Sequence, residues 1–532
     1  MDFQTIDDVV LEAVDFTFEE PLNLSVRPDE KDVPDIDMKL SWLPANDYGN
    51  AQRLLARGGR DLCWIADAGW LGWDGKKWSL EEGDGLAVRR AHETIKAMRG
   101  EVAALLARGP FDGEKNEDFI KRINKYHTFR IKSGDLPRVR GMLDSAATYL
   151  KQRIENMDAD PYLFTVENGT IKLNTPETDD CRDVVSLIDH DRSNFATKMG
   201  GVVYDPDALC PNFHAFLNDI LPDASIQKFL QVWFGYSLSG LLREQYVVMF
   251  HGGGSNGKST LMDLLNGIFG DYAMTIPFAS LLKDDKKRGA EATPDLARLP
   301  GARFVTAAEP EQGAQFSEST IKQLTGSEKI TARHLNKGFF EFYPQFKLVL
   351  SFNTKPQIRG QDEGIWRRVK LVPFDQKFVS PEKLAENPGA KLKDPSLMPR
   401  LKAEASGVLN WVLDGWRIYC EEGLVIPEIV NAATQEYRQE SNPVGEFISN
   451  WTMRRPGERI LASRLYRAYQ EYCKKEGMKA WTQKTFGDRL TEQGVRREKI
   501  SGYTQYLDLV LTHEAEKEVD GGNSMPDYND HD

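Results

Sequence analysis

The chain has 532 residues, 40% of them hydrophobic, a formal net charge of −13 and five cysteines. That length suits roughly two to four domains. No run of about eighteen apolar residues is available to span a membrane. Met1-Asp2-Phe3-Gln4 does not read as a secretory leader, and Cys63, Cys181, Cys210, Cys420 and Cys473 form no Cys-x-x-Cys pair, which argues against a zinc ribbon or a disulfide frame. The expected compartment is the cytoplasm. The negative charge is unevenly placed. Residues 1–50 carry net −10 and residues 513–532 net −6, leaving +3 for 51–512 and +6 within 451–510. The two acidic ends therefore read as disordered tails, and nucleic acid is not excluded as a partner of the body between them.

In chain order, residues 1–40 are acidic and weakly periodic. A first folded unit begins near Trp42. Its densest signal runs from Cys63-Trp64-Ile65 through Trp70-Leu71-Gly72-Trp73 to Trp78, with Asp74-Gly75 as a hairpin turn. The tryptophans are expected in the core rather than as base-stacking platforms. Residues 86–156 read as mostly helical and basic, with Lys121, Arg122, Lys125, Arg130, Lys132, Arg138 and Arg140. A second hairpin is expected where Asn168-Gly169 separates Leu163–Val166 from Thr170–Leu173. Residues 212–243 form a helical lead-in.

Next comes the strand Tyr246-Val247-Val248-Met249-Phe250, then Gly252-Gly253-Gly254-Ser255-Asn256-Gly257-Lys258-Ser259, then a helix opening at Thr260. This is Gly-x-x-x-x-Gly-Lys-Ser in its strand–loop–helix setting, a nucleoside triphosphate site. The glycines let successive N–H groups face the phosphates. Lys258 reaches the terminal phosphates, and the Ser259 hydroxyl can ligate Mg²⁺. The helix N-terminus adds partial positive charge. ATP and Mg²⁺ are the expected cofactors.

Downstream, the strand Arg303–Ala308 delivers Glu309, with Glu311 two residues on. A carboxylate there can hold the metal shell or orient the attacking water. The strand Phe346–Ser351 leads to Asn353, placed either to sense the γ-phosphate or to form a turn before Thr354-Lys355-Pro356. Trp366-Arg367-Arg368 precedes the strand Val369–Phe374. Either guanidinium could stabilise phosphoryl charge from a neighbouring subunit. Between these strands, Asn336-Lys337-Gly338 marks a hairpin carrying Lys329, Arg333, His334 and Lys337, suited to DNA phosphates. Phe339 and Phe340 beside it are expected in the core. Helices then continue to about Arg438. Ser441-Asn442-Pro443 marks a boundary, and 444–511 read as three helices closed by a short β-hairpin, the order of a winged helix.

Ala308-Glu309, Lys322 to Gly326, Ala332-Arg333, Asn353 to Pro356 and Trp366 to Phe374, following the phosphate loop in that order, resemble the superfamily 3 helicase domain of phage and plasmid replicative primase–helicases, in the branch shared with poxvirus primase–helicase. The likeness covers about 212–440. Weaker likeness runs back through Asn50-Ala51, Trp70 to Trp78 and Asn168-Gly169. Ser327-Glu328 stands where the family has Gly-Asp, and the second acidic residue of the catalytic strand is displaced to Glu311. The resemblance implies an α/β fold: a P-loop AAA+-like motor at 212–440, an α+β accessory domain at 41–211 before it, and a winged-helix-like DNA-binding domain at 441–512 after it. Acidic tails at 1–40 and 513–532 complete this division. It implies a hexameric ring translocating on single-stranded DNA and at forks, with ATP between subunits. Gly252 to Thr260 would hold the nucleotide, Ser259 and Glu309 the metal, and Glu309 or Glu311 would activate water. Asn353 would act as sensor, and Arg367 or Arg368 as finger. A separate primase or polymerase is the expected partner, because the segment before the accessory domain is too short for a catalytic primase domain. Two rivals remain open: a complete primase–helicase, and a non-enzymatic origin-binding module.

Overall fold

The computed structural model describes residues 31, 33–66, 68–174, 185–283, 293–308, 315–333, 338–358, 363–476 and 480–521. Contacts divide it into two units, Met1–Ala159 with His190–Thr197, and Asp160–Asp189 with Lys198–Asp532. Part of the acidic segment expected to be a tail is helical: α1 spans Asp35–Leu40 and buries Leu40.

In the first unit α2 (Asp47–Gly58) starts where the Asn46 side chain accepts the Gly49 N–H, a helix N-cap. Strands β1 (Leu62–Ile65), β2 (Gly69–Trp73), β3 (Trp78–Ser79) and β4 (Lys151–Gln152) form one sheet in the order β3-β2-β1-β4. The Asp74 carboxylate accepts the N–H groups of Lys76 and Lys77 at 2.7 Å, and Gly75 takes φ +103°. That conformation is easy only for glycine and fixes the expected hairpin. Helices α3 (Gly83–Arg108), α4 (Asn116–Lys132) and α5 (Leu136–Ala147) complete the unit. Trp70, Trp73 and Trp78 are buried, as expected of core tryptophans. The fully buried Arg53 and Glu101 pair at 2.7 Å, and the Tyr126 hydroxyl donates to the same carboxylate at 2.6 Å, so neither charge is left alone in the core.

The second unit opens with the antiparallel strands β5 (Leu163–Val166), β6 (Gly169–Leu173) and β7 (Val185–Ile188). Sequence placed this hairpin in the preceding domain. It packs instead on the second unit's core, with Phe164 stacked on Tyr272 at 4.5 Å. Helices α6 (Pro211–Ile220) and α7 (Ala224–Leu238) form the lead-in. The main sheet comprises β8 (Val247–His251), β9 (Ala273–Thr275), β10 (Phe304–Ala308), β13 (Lys347–Phe352) and β14 (Val369–Pro373), all parallel, in the order β14-β8-β13-β10-β9. Both faces are covered, as parallel sheets require. Val248 and Phe250 face one core with α7, α8 (Lys258–Phe269) and Trp416, while Val247 and Met249 face a second core with Leu348, Leu350 and Tyr437. Between β10 and β13 lie α9 (Glu318–Leu324) and the hairpin arms β11 (Ile330–Arg333) and β12 (Phe339–Phe342). The short helix α10 (Glu363–Trp366) precedes β14, and the short strands β15 (Phe378–Val379) and β16 (Lys391–Leu392) follow it. Then come α11 (Leu397–Ala403), α12 (Ala405–Glu422) and α13 (Glu428–Glu440).

A third core gathers residues 444–519. Its elements are α14 (Pro443–Trp451), β17 (Thr452–Leu461), α15 (Ala462–Lys475), α16 (Gln483–Glu492), β18 (Arg497–Ile500), β19 (Tyr503–Leu511) and α17 (His513–Gly521), with the sheet order β17-β19-β18. Two features depart from the sequence reading. Residues 452–461 add a strand, which its Arg-Arg-Pro-Gly-Glu-Arg run concealed. Residues 513–521, expected in the acidic tail, form a helix whose Ala515 and Val519, four apart on one face, are buried.

Candidate nucleotide site

The apolar strand β8 ends at His251, and the chain then curls through Gly254 (φ +92°) and Ser255 (φ +49°) into the N-terminus of α8, capped by Gly257 at φ +87°. A Cβ on Gly257 would lie 2.3 Å from the Ile220 side chain, so the position demands glycine on two counts. Lys258 opens the helix and is only 4% exposed. Its ammonium donates to Gly252 O at 2.8 Å, Asn256 Oδ1 at 3.0 Å and Asn353 Oδ1 at 3.1 Å. Asn353 comes from the end of β13, the strand hydrogen-bonded beside β8. Two residues ninety-five positions apart thus meet at one sheet edge. Asn256 is itself held by donating to Phe374 O at 3.2 Å. Burial, and then the charges of Lys355 and Lys258, hold the His251 imidazole below its ordinary pKa, which favours the neutral ring beside the loop.

A cavity of about 430 Å³ opens from Ser255–Thr260. Ser259 is exposed on its wall, with the hydroxyl free to meet a phosphate-bound cation, so the residues present fit the expected Mg²⁺ as one protein ligand among phosphate oxygens. Phe216, Ile220, Phe378, Leu397 and Met398 supply apolar walls, and Asn212, Asp219 and Arg400 polar ones. Sequence reasoning did not assign these residues. The amphipathic spacing of 211–220 reads equally as core packing, and β16 and α11 reach the loop only through tertiary folding.

Strand β10 runs parallel to β13 and ends, at the exposed Ala308, on the same edge of the sheet. Glu309 and Glu311 follow directly but lie outside the described residues, as do His334 and Lys337. The described arms of the hairpin pair Ile330 with Phe342 and Arg333 with Phe339. Lys329 sits 3.6 Å from Glu341 and 5.4 Å from the Tyr343 ring centre, and the Arg333 guanidinium lies 5.2 Å from the Phe339 ring centre. Phe339 is 57% exposed, which corrects its expected core position. Opposite Arg333 at the outer end of a two-stranded arm, it has no sheet to cover it.

The two arginines of Trp366-Arg367-Arg368 separate cleanly. Arg367 is exposed. Arg368 is buried and donates to Thr325 Oγ1 at 3.1 Å, Gly364 O at 2.6 Å and Gln245 Oε1 at 3.0 Å. It ties the turn after α9, the approach to β14 and the approach to β8 together. Trp366 meets Tyr437 edge-on at 5.4 Å, and the Tyr437 hydroxyl donates to Pro356 O. Lys370 donates to Arg367 O at 2.7 Å, with burial lowering its pKa to about 8. Motif residues Thr325 and Arg368 are thus joined directly, and Pro356 and Trp366 through Tyr437.

Family models described as "D5 N terminal like", as a family of unknown function and as "Poxvirus D5 protein-like" match residues 51–222, 250–368 and 439–508. A protein named as a putative helicase of Acanthamoeba polyphaga mimivirus is 30% identical over 336 residues, 60% of this chain and 34% of that protein. One named as a putative primase of African swine fever virus is 23% identical over 359 residues, 63% of this chain and 35% of that protein. The chain thus spans about a third of the length of these curated relatives. Among solved structures, the NrS-1 C-terminal region aligns at 13% identity with a TM-score of 0.38, over 65% of this chain and 85% of that one. No helix among the described residues is long and apolar enough to cross a membrane.

Proposed function

The chain belongs to the D5-like primase–helicase family, and from that premise we propose that it is an ATP-driven replicative DNA helicase motor. The observation that carries this reading is the meeting of Lys258 and Asn353 at 3.1 Å, beside the exposed Ser259 at the mouth of the cavity. A lysine buried on three oxygens is a preorganised cation. Triphosphate entering the loop would exchange some of those oxygens for phosphate oxygens. Asn353, now sharing the lysine, would report on the same phosphate. Ser259 would complete the Mg²⁺ shell, and the cation would neutralise charge developing between the β- and γ-phosphates. The apolar walls from Phe216 to Met398 would receive the base, as ligand cavities ordinarily do. Glu309 or Glu311 would orient the attacking water.

Arg367 is the finger in this reading, because a residue acting in a neighbouring subunit must project from its own surface. Arg368 holds the corner on which it stands. A ring, with nucleotide between subunits and single-stranded DNA in the pore, follows from that role. The arms carrying Lys329 and Arg333 would grip phosphates, and the exposed Phe339 adds a ring face for stacking. The test is ATP hydrolysis with and without single-stranded DNA, together with strand displacement at a fork and template-directed primer synthesis. Hydrolysis stimulated by DNA with displacement supports the motor. Primer synthesis without displacement would replace it with the primase reading, and binding without hydrolysis with the origin-binding one.

A further inference from the structure

The order α14, β17, α15, α16, β18, β19 in Pro443–Leu511, with β19 central in the sheet, is that of a winged helix. In helix-turn-helix proteins the second helix of the pair enters the major groove. Here that helix is α16, and its surroundings suit DNA poorly. Its exposed positions are Gln483, Lys484, Asp488, Thr491 and Glu492, one cation against two carboxylates. Arg489 is already engaged with Glu492.

The cations lie elsewhere. Arg454, Arg455 and Arg459 are exposed on β17. Pairing with β19 jumps from Arg454↔Leu509 to Arg459↔Leu507, so residues 455–458 oppose Asp508 alone. That is a bulged knuckle, and it is pinned. Asp508 takes the left-handed φ of +56°, its Oδ1 accepts the Gly457 N–H at 2.8 Å, and its Oδ2 accepts from Arg496 at 2.5 Å. This clasp holds Arg496 on the Asp508 carboxylate, with the charge of Arg454 also acting on it, and it fixes the backbone that carries Arg455 and Arg459. Arg455 and Arg459 have no ion-pair partner among the described residues. A bulge of this kind re-aims side chains at the sheet edge. The knuckle itself, Arg455-Pro456-Gly457-Glu458, holds no aromatic ring. Grips on single strands combine cations with rings for stacking, whereas duplex backbone needs only positioned cations.

We propose that the β17 knuckle docks the phosphate backbone of double-stranded DNA, without reading sequence, and that α16 is not the principal contact. The choice of DNA as partner rests on the motor reading above; the choice of face does not. The test uses the full chain and short mixed-sequence duplexes. The triple variant Arg454→Gln, Arg455→Gln, Arg459→Gln should bind duplex about 10-fold more weakly or worse, with the salt slope reduced by roughly 0.9 for each lost phosphate contact. The loss should be equal on two unrelated sequences. Lys484→Ala on α16 should change duplex affinity less than about twofold, as should a swap of duplex sequence. Arg455→Gln alone, at an exposed position of the knuckle, should lower the slope by roughly 0.9 and settles the matter if the triple variant unfolds. Unchanged affinity and slope would overturn the proposal, as would a loss confined to one sequence or a larger effect from Lys484→Ala. DNA-free ATP hydrolysis should be unaffected by the triple variant. If the wild-type chain hydrolyses no ATP at all, the motor reading falls while the duplex measurement still decides the knuckle.

Discussion

The phosphate loop and the Trp366-Arg367-Arg368 corner are both motif-dense, and both bury a cation that donates to oxygens of three residues. They differ in what lies beyond. Lys258 sits at the wall of a cavity, beside the exposed Ser259. Arg368 is enclosed by Thr325, Gly364 and Gln245 from three separate segments. A buried cation facing a cavity can exchange its partners for a ligand's. One enclosed by the chain holds the chain together. Residue identity alone does not separate the two cases; the presence of space does.

The sharpest break of this comparison is within the corner. Arg367→Ala should lower hydrolysis by about 10³-fold, the scale of a lost arginine finger, yet shift stability by less than about 0.5 kcal/mol, as exposed positions do. Mixing it with Lys258→Ala subunits should restore part of the activity, and full-rate hydrolysis by a verified monomer would remove the ring. Asn353→Ala should cost about 10²-fold in turnover with little change in unfolding midpoint, and a normal rate would leave Asn353 a turn former. Arg368→Ala should behave in the opposite way, destabilising by about 3 kcal/mol because three polar partners lose their donor. Thr325→Val should give a smaller loss in the same assay.

The smallest effect concerns His251. Its folded pKa lies below the ordinary value of 6.5, chiefly through burial. The unfolded chain therefore takes up the proton first, and stability should fall as pH drops through the ordinary histidine range. Chemical denaturation of His251→Phe against the wild type across that range should show a shallower slope in the variant. An equal slope would mean that the ring keeps its charge on folding.

What was legible in the sequence follows from how local the signal was. The strand–loop–helix around Lys258 is contiguous, and glycines at 254 and 257 take the left-handed conformations that the motif requires. Four of the five parallel strands were visible as largely apolar runs, because a sheet covered on both faces has no polar side; the three-residue β9 was too short to show. Asn353 was legible only as a strand end, and its approach to Lys258 depends on β13 lying beside β8. The cavity's far wall was not legible, since Phe378, Leu397 and Met398 come from short elements whose pattern says nothing about the loop. Arg367 and Arg368 were indistinguishable, because adjacent residues on a turn differ in burial only once Gln245 and Thr325 arrive. Strand β17 was missed for a physical reason as well: an exposed edge strand broken by Pro456-Gly457 has no apolar alternation to reveal it.

The most direct measurement of the central claim is ATP hydrolysis, with and without single-stranded DNA, by the wild-type chain and by Lys258→Ala, with the unfolding midpoint of both recorded. The account predicts DNA-stimulated hydrolysis that falls by about 10²-fold or more in the variant, at an unfolding midpoint close to that of the wild type. Hydrolysis by Lys258→Ala at the wild-type rate would contradict it, because the buried ammonium at the cavity wall would then be a structural cation like that of Arg368.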